Sequence, residues 1–411
     1  MKTPRLMLFA LVLAACEEPA PPPAGVELPS GACGHGLYVV STDYQSSSVS
    51  IVSYDGDVVG PAMLTSGSED VALSAPLSGD VVAPAERTLG AELILIDRYP
   101  AAVLTFYNPV QATVGEQVSV QTGFPSNPYD ALEIGAREVW VARYDENGDP
   151  GNEPFDEGSD IVIVDRETGE LTARIDLAPA LEGADSANKK ILPKPARLVR
   201  LEAGVGALLA AYSQDFKEQA DGRVALLDPE TRAIVSAVVL EGGRGCSAMA
   251  RAPSGRAVAV GCSGTFAGTN TPTLEDSAVY VVDAVDGALT VRARFAAADL
   301  GGDPIGFSLA FSTEDRVLVT TFGELGASGE QARPDRLVEL DLASGDVRTI
   351  LESEKAPFTL GDVRCEPACG VCFAADADRS VLHRLEVATG AMRDVVIDDG
   401  IGLPPRYLGA Y

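Results

Sequence analysis

Cys365, Cys369 and Cys372 stand at C-x3-C-x2-C spacing, a pattern that can present three thiolates to a cluster. Within it, Cys369-Gly370-Val371-Cys372 has the spacing of a redox dithiol or a haem attachment site. None of these three chemistries is expected. Phe373 stands where haem attachment needs His, and the flanks alternate like strands where a redox dithiol opens a helix. Asp145-Glu146-Asn147-Gly148-Asp149-Pro150 places oxygen ligands at alternate positions, as a calcium loop does, with Asp156, Glu157 and Asp160 close behind. A calcium loop needs Gly at its sixth position for the sharp turn, and Pro150 occupies it. The segment is therefore expected to be a solvated acidic loop; Asp145, Asn147, Asp149 and Asp156 are its metal candidates, with calcium as the ion. Charge-neutralising changes across Asp145 to Asp160 are expected to leave folding intact. Only His35 and His383 are available to a catalytic triad, so a Ser-His-Asp site depends on one of two residues. His383 sits in an alternating strand and reads as packed, His35 lies between Gly34 and Gly36, and Trp140 reads as core. Phosphate-loop, dinucleotide, zincin and nucleophile-elbow motifs are absent.

The 411 residues carry 60 acidic against 31 basic side chains, a net charge of −29. Such a surface repels phosphate backbones, which argues against a nucleic-acid partner. Forty-one Gly and 27 Pro spread along the chain favour a turn-rich all-β protein.

Lys2 and Arg5 precede an apolar run of ten residues, Leu6 to Ala15, too short to span a bilayer and suited to a secretory signal. It ends in Leu13-Ala14-Ala15-Cys16, which resembles the bacterial lipobox. The resemblance implies removal of residues 1–15, lipidation of Cys16 and anchoring in the cell envelope, at the outer membrane or a periplasmic leaflet. Losing Lys2 and Arg5 takes the charge from −29 to −31. Residues 16–34, with Pro19, Pro21, Pro22 and Pro23, read as a semi-extended tether, and residues 35–411 as the folded domain.

The folded part repeats. Asp160 to Asp165 alternates as a strand, Arg166-Glu167-Thr168-Gly169 turns, and Glu170 to Ala173 returns. The same unit recurs with turns beginning near 55, 108, 228, 283, 341 and 386, spaced 45 to 63 residues apart. A strand-only unit of that period predicts propeller blades. A further apolar hairpin precedes each unit, giving four strands per blade, A to D from the axis outward. Near the start only B to D are visible, and the tail Pro405 to Tyr411 is expected to supply the missing inner strand of blade one and close the ring. The strands Leu37 to Ser41, Val139 to Arg143 and Val317 to Thr321, each followed by the turn unit, resemble the seven-bladed lactonase-like propellers of the YVTN repeat type. The resemblance implies architecture and leaves function open.

In such a meander the A–B and C–D turns share one face, and the B–C and D–A loops share the other. The long segments Asp145 to Ser159, Gln214 to Gly222, Ser263 to Ser277, Gly323 to Pro334 and Ala178 to Pro193 all fall on the second face, predicting a recognition surface. Asp70, Asp130, Asp303 and Asp362 recur before or near inner-strand starts and are expected at the axial mouth. Cys246 and Cys262 centre on Ser254 in Pro253-Ser254-Gly255, which predicts their disulfide across the A–B hairpin of blade five. Cys365 and Cys372 centre on the A–B turn of blade seven and form the second pair. Cys33 is then assigned to Cys369, with Cys365 and Cys372 as open alternatives. The leading expectation is a monomeric, non-enzymatic binding scaffold presenting the loop face to a protein, peptide or glycan. The alternative, implied by the lactonase-like resemblance, is a hydrolase with a divalent metal held by the axial carboxylates.

Overall fold

The computed structural model describes residues 24–27, 33–184, 188–266, 272–325 and 331–411. Cys16 and the signal segment lie outside the described residues. Seven four-stranded antiparallel sheets form the ring. Strands A to D of blade one are Pro405–Ala410, Leu37–Thr42, Ser47–Val52 and Val58–Thr65. Blade two comprises Val81–Val82, Leu93–Asp97, Val103–Asn108 and Thr113–Ser119. Blade three comprises Pro128–Ile134, Glu138–Glu146, Gly158–Asp165 and Leu171–Ile175. Blade four comprises Pro195–Leu201, Gly204–Leu209, Arg223–Leu227 and Ile234–Val239. Blade five comprises Cys246–Arg251, Ala257–Cys262, Ala278–Val285 and Ala288–Ala296. Blade six comprises Ile305–Thr313, Arg316–Thr321, Arg336–Asp341 and Val347–Glu352. Blade seven comprises Leu360–Glu366, Val371–Asp376, Val381–Glu386 and Met392–Val396.

Burial follows strand position. The B strand of blade one is buried along its whole length, whereas the D strand of blade five alternates between exposed and half-buried. Middle strands lie between two neighbouring sheets and need apolar side chains on both faces, while outer strands need them on fewer positions. The core is accordingly divided into seven clusters, one at each interface between adjacent blades. Trp140 is fully buried in the cluster between blades three and four.

The recurrent Asp-x-x-Thr-Gly turn has a local cause. The Asp165 carboxylate accepts the N–H groups of Glu167 and Thr168 at 2.8 and 3.2 Å, and Gly169 N–H closes onto the Asp165 carbonyl at 2.8 Å. Gly169 turns with φ +67°, a conformation that suits a residue without a Cβ. Asp228 and Asp341 repeat the capture of two N–H groups. In all three, those donors hold the carboxyl below its usual range.

The C-terminal strand pairs antiparallel with the B strand of blade one, Leu37 opposite Ala410 through Val40 opposite Tyr407. Gly409 is required there, because a Cβ would lie 2.0 Å from the ring of Tyr38. Near the other terminus, Val26 packs into the cluster between blades one and two, and its N–H donates to Pro109 O at 3.0 Å. That part of the residues read as tether is therefore docked on the domain.

One connection departs from the expected one-sided pattern. Blade two's inner strand stops after Val81–Val82, and residues 83–92 run across the axis on the A–B side before the next strand begins. Pro84 ends the ladder, since it has no N–H to contribute.

Candidate functional site

The inner strands place three equivalent side chains between neighbouring blades. Asp130, on blade three, accepts Leu198 N–H of blade four at 2.8 Å. Asp362, on blade seven, accepts Leu408 N–H of blade one at 3.1 Å. Ser308, on blade six, accepts Val363 N–H of blade seven at 2.9 Å. Each ties an inner strand to the next. Asp130 also accepts Ala85 and Ala131 N–H, both at 2.9 Å, so its two oxygens face three backbone donors. Burial nevertheless pushes its carboxyl up to about 6, against the pull of Arg197 and those donors. Burial raises Asp362 as well.

The four acids expected together at the axial mouth separate. Asp362 lines the axial cavity and Asp130 is buried beside it. Asp303 turns instead toward Arg333 and Arg336, with which it forms ion pairs within blade six. Asp70 lies at the outer strand of blade two, where its carboxylate accepts Ala72 and Val114 N–H at 2.9 and 3.3 Å. The reason is the length of residues 66–80: Asp70 comes early in that connection, far from the inner strand at Val81.

The acidic loop of blade three is built around protein partners. Asp145 accepts from Lys194 Nζ at 3.2 Å and Asn127 Nδ2 at 3.1 Å. Asn147 accepts Asp149 N–H at 3.1 Å, and Asp156 accepts Gly151 N–H. Asp160 is fully buried and bonds Arg143 through two contacts of 2.8 Å, and Arg174 at 2.6 Å. Neutralising the whole segment would therefore break a buried ion pair, contrary to the expectation of an entirely solvated loop. Among the described residues, no three His, Cys, Asp or Glu side chains converge as a metal site. His383 is buried between Asp394, 2.8 Å from Nδ1, and Asp376, 3.2 Å from Nε2. The cysteines are bonded as Cys246–Cys262, Cys365–Cys372 and Cys33–Cys369, with Cα separations of 3.8, 4.0 and 5.5 Å.

Two features went unseen in the sequence. The first is the axial segment 83–92, which five other blades hold. Asp130 receives Ala85 N–H, Arg364 donates to Pro84 and Ala85 carbonyls, and Arg200 donates to Arg87 O at 2.6 Å. Glu86 is buried between Arg200 and Arg251, at 3.5 and 3.2 Å, while Arg87 pairs with Glu366. Thr88 N–H reaches Ala410 O of blade one at 3.2 Å. Together with the inner strands, this segment lines a cavity of about 400 Å³.

The second feature is aromatic. Tyr44, Tyr99, Phe216, Phe266 and Phe307 are 39 to 57% exposed, and they are all of the exposed aromatic rings among the described residues. Four come from B–C connections and Phe307 from the start of an inner strand, so all five lie on the loop-bearing face. They continue inward. Phe266, Phe307 and Phe358 follow one another at centroid distances of 6.3 and 6.1 Å, and Phe216, Tyr144 and Tyr129 at 6.1 and 4.1 Å. Cations stack among them: Lys194 Nζ is 4.2 Å from the Phe216 centroid, Arg98 lies over Tyr129, and Arg406 over Tyr44. Tyr44, Phe216 and Phe358 have φ of +66°, +58° and +66°, a left-handed backbone that costs a bulky residue about 1–3 kcal/mol. The only sequence trace was a single aromatic in each of several loops.

No protein-family model matches the sequence, and no curated protein sequence matches it. Solved structures share the fold. A Bacteroides fragilis protein named a "putative 6-phosphogluconolactonase" aligns with a TM-score of 0.55 at 11% identity, covering 92% of this chain and 99% of that one. A Lactobacillus plantarum protein aligns with a TM-score of 0.57 at 10% identity, covering 91% and 98%. The β-propeller domain of Cps50 (Swd1) from Myceliophteria thermophila aligns with a TM-score of 0.53 at 13% identity, covering 86% and 96%. At such identities the likeness is one of fold.

Proposed function

We propose that the chain is a lipid-anchored binding protein of the bacterial cell envelope, whose propeller engages a protein, peptide or glycan through its loop-bearing face. The observation that carries this reading is the placement of all five exposed aromatic rings of the described residues on that one face. Two of the five, Tyr44 and Phe216, are held in left-handed backbone and lose little conformational freedom on contact, which suits them as recognition anchors. The anchor rests on Leu13-Ala14-Ala15-Cys16 and its flanks. The lactonase-like alternative needs Asp130 and Asp362 to face a metal, and both already face the backbone N–H groups of the adjoining blade.

The reading is tested by probing a peptide library and a glycan array with the full chain, then with Phe216→Ala and Tyr44→Ala. A bound ligand whose signal both variants lose, at an unchanged unfolding transition, supports it. A ligand that both bind as tightly as the parent, or metal-dependent lactone hydrolysis abolished by chelation, overturns it. Labelling with a radioactive fatty acid, lost in Cys16→Ser, tests the anchor.

A further inference from the structure

The chain as a whole has two acidic side chains for every basic one, 60 against 31. The axial cavity inverts that ratio. Five arginines line it, namely Arg87, Arg197, Arg200, Arg251 and Arg364, against three carboxylates, Glu86, Asp362 and Glu366. Local pairing accounts for part of the positive charge: Arg87 holds Glu366, while Arg200 and Arg251 share Glu86. Arg197 and Arg364 make no ion pair within 4 Å with any described carboxylate. Their hydrogen bonds go to backbone carbonyls, Arg197 to Tyr129 and Ala196 and Arg364 to Pro84 and Ala85. A guanidinium carries five N–H donors in a fixed fork, so each retains donors for an incoming oxyanion.

We propose that the axial cavity binds a ligand bearing two carboxylates on a short apolar chain. With Asp130 buried beside the cavity as a fourth carboxylate the excess of arginines is one, and the two guanidiniums with free donors, Arg197 and Arg364, set the number of carboxylates recognised at two. Arg197 stands on blade four and Arg364 on blade seven, three blades apart in the ring of seven, so the two forks enter the cavity from opposite sides. Met249, Leu309 and Phe311 supply apolar wall between polar ends. The volume of about 400 Å³ falls in the range of small-ligand pockets. Two sources share this chemistry: a free dicarboxylic acid, and a polypeptide ending in Asp or Glu, whose last residue carries both carboxylates. The charged groups come from inner strands and residues 83–92, while Phe307 belongs both to the cavity wall and to the aromatic face.

Titration calorimetry on the full chain tests it with adipate, dimethyl adipate, inorganic phosphate, the peptide Gly-Gly-Phe-Glu and its C-terminal amide. Adipate or the free-acid peptide should bind, with the diester and phosphate weaker by about tenfold or more. Tighter binding of the peptide than of adipate, lost on amidation, assigns the polypeptide source, and the reverse order assigns the free acid. Arg197→Gln should weaken binding about tenfold or more, and Phe216→Ala should leave it unchanged. Arg364→Gln gives the same readout from the opposite blade, should the first variant fold poorly. No binding by either carboxylate probe at about 10 mM, equal binding of the diester, or wild-type affinity in a folded Arg197→Gln or Arg364→Gln would overturn the proposal.

Discussion

Asp130→Asn converts the buried carboxylate between blades three and four into a group that cannot ionise, and its effect should depend on pH in a defined direction. Burial holds the native carboxyl at about 6, while the unfolded chain titrates near 3.8. Below about pH 4 both states are protonated, and the residue contributes its full stability. As pH rises from about 4 to about 6 the unfolded state ionises first, so native stability falls; above about 6 the loss is complete. At 1.36 kcal/mol per pH unit the loss amounts to ~3 kcal/mol. The Asn variant escapes it. In exchange, its amide keeps one acceptor oxygen for Ala85 and Ala131 and turns a donor toward Leu198 N–H, a mismatch worth about 1–3 kcal/mol at every pH. The variant should thus be less stable than the parent at pH 4 and should gain ~3 kcal/mol relative to it by pH 7. Urea unfolding of both proteins at pH 4, 5, 6 and 7 measures the difference. A gap constant across that range, or one that widens against the variant as pH rises, would refute the assignment of a buried, reluctantly ionised carboxyl.

Three further outcomes are expected. Asp160→Asn should cost about 3–5 kcal/mol by leaving Arg143 buried with a weakened partner, whereas Asp149→Asn on the exposed part of the same loop should stay within about 0.5 kcal/mol by denaturant titration. Replacing Cys246 and Cys262 together by Ala should cost about 3 kcal/mol, the loop-closure entropy of a 16-residue separation; non-reducing peptide mapping of the parent should recover that linkage. Deleting Pro405 to Tyr411 removes the inner strand of blade one and should abolish the single cooperative melting transition, read by calorimetry.

What was legible in the sequence is local and periodic. The Asp165 turn and its relatives are made by residues within five positions of one another, so each copy announces itself. Hairpin register is similarly local, and Cys246 falls opposite Cys262 as the centring on Ser254 implies. Residues 83–92 left no such mark: after Val81–Val82 the strand alternation stops, and nothing near Pro84 indicates that five other blades hold the segment. The cavity is less legible still. Arg197, Arg251 and Arg364 are separated by 54 and 113 positions and meet only because each occupies an inner strand. Asp70 failed for the converse reason, since a long connection displaced it from the position that its order in the chain suggested.

The docking of Val26 has a consequence for orientation. Pro109, its partner, belongs to the C–D turn of blade two, on the same side of the ring as the A–B turns and opposite the exposed aromatic rings. From Cys16 to Ala24 is eight residues, a span of at most about 29 Å. A lipid on Cys16 would therefore moor the disc with its turn side toward the bilayer, like a dish on a short mast. Tyr44, Phe216 and their neighbours would then look outward, toward whatever lies across the compartment rather than toward the lipid that holds them.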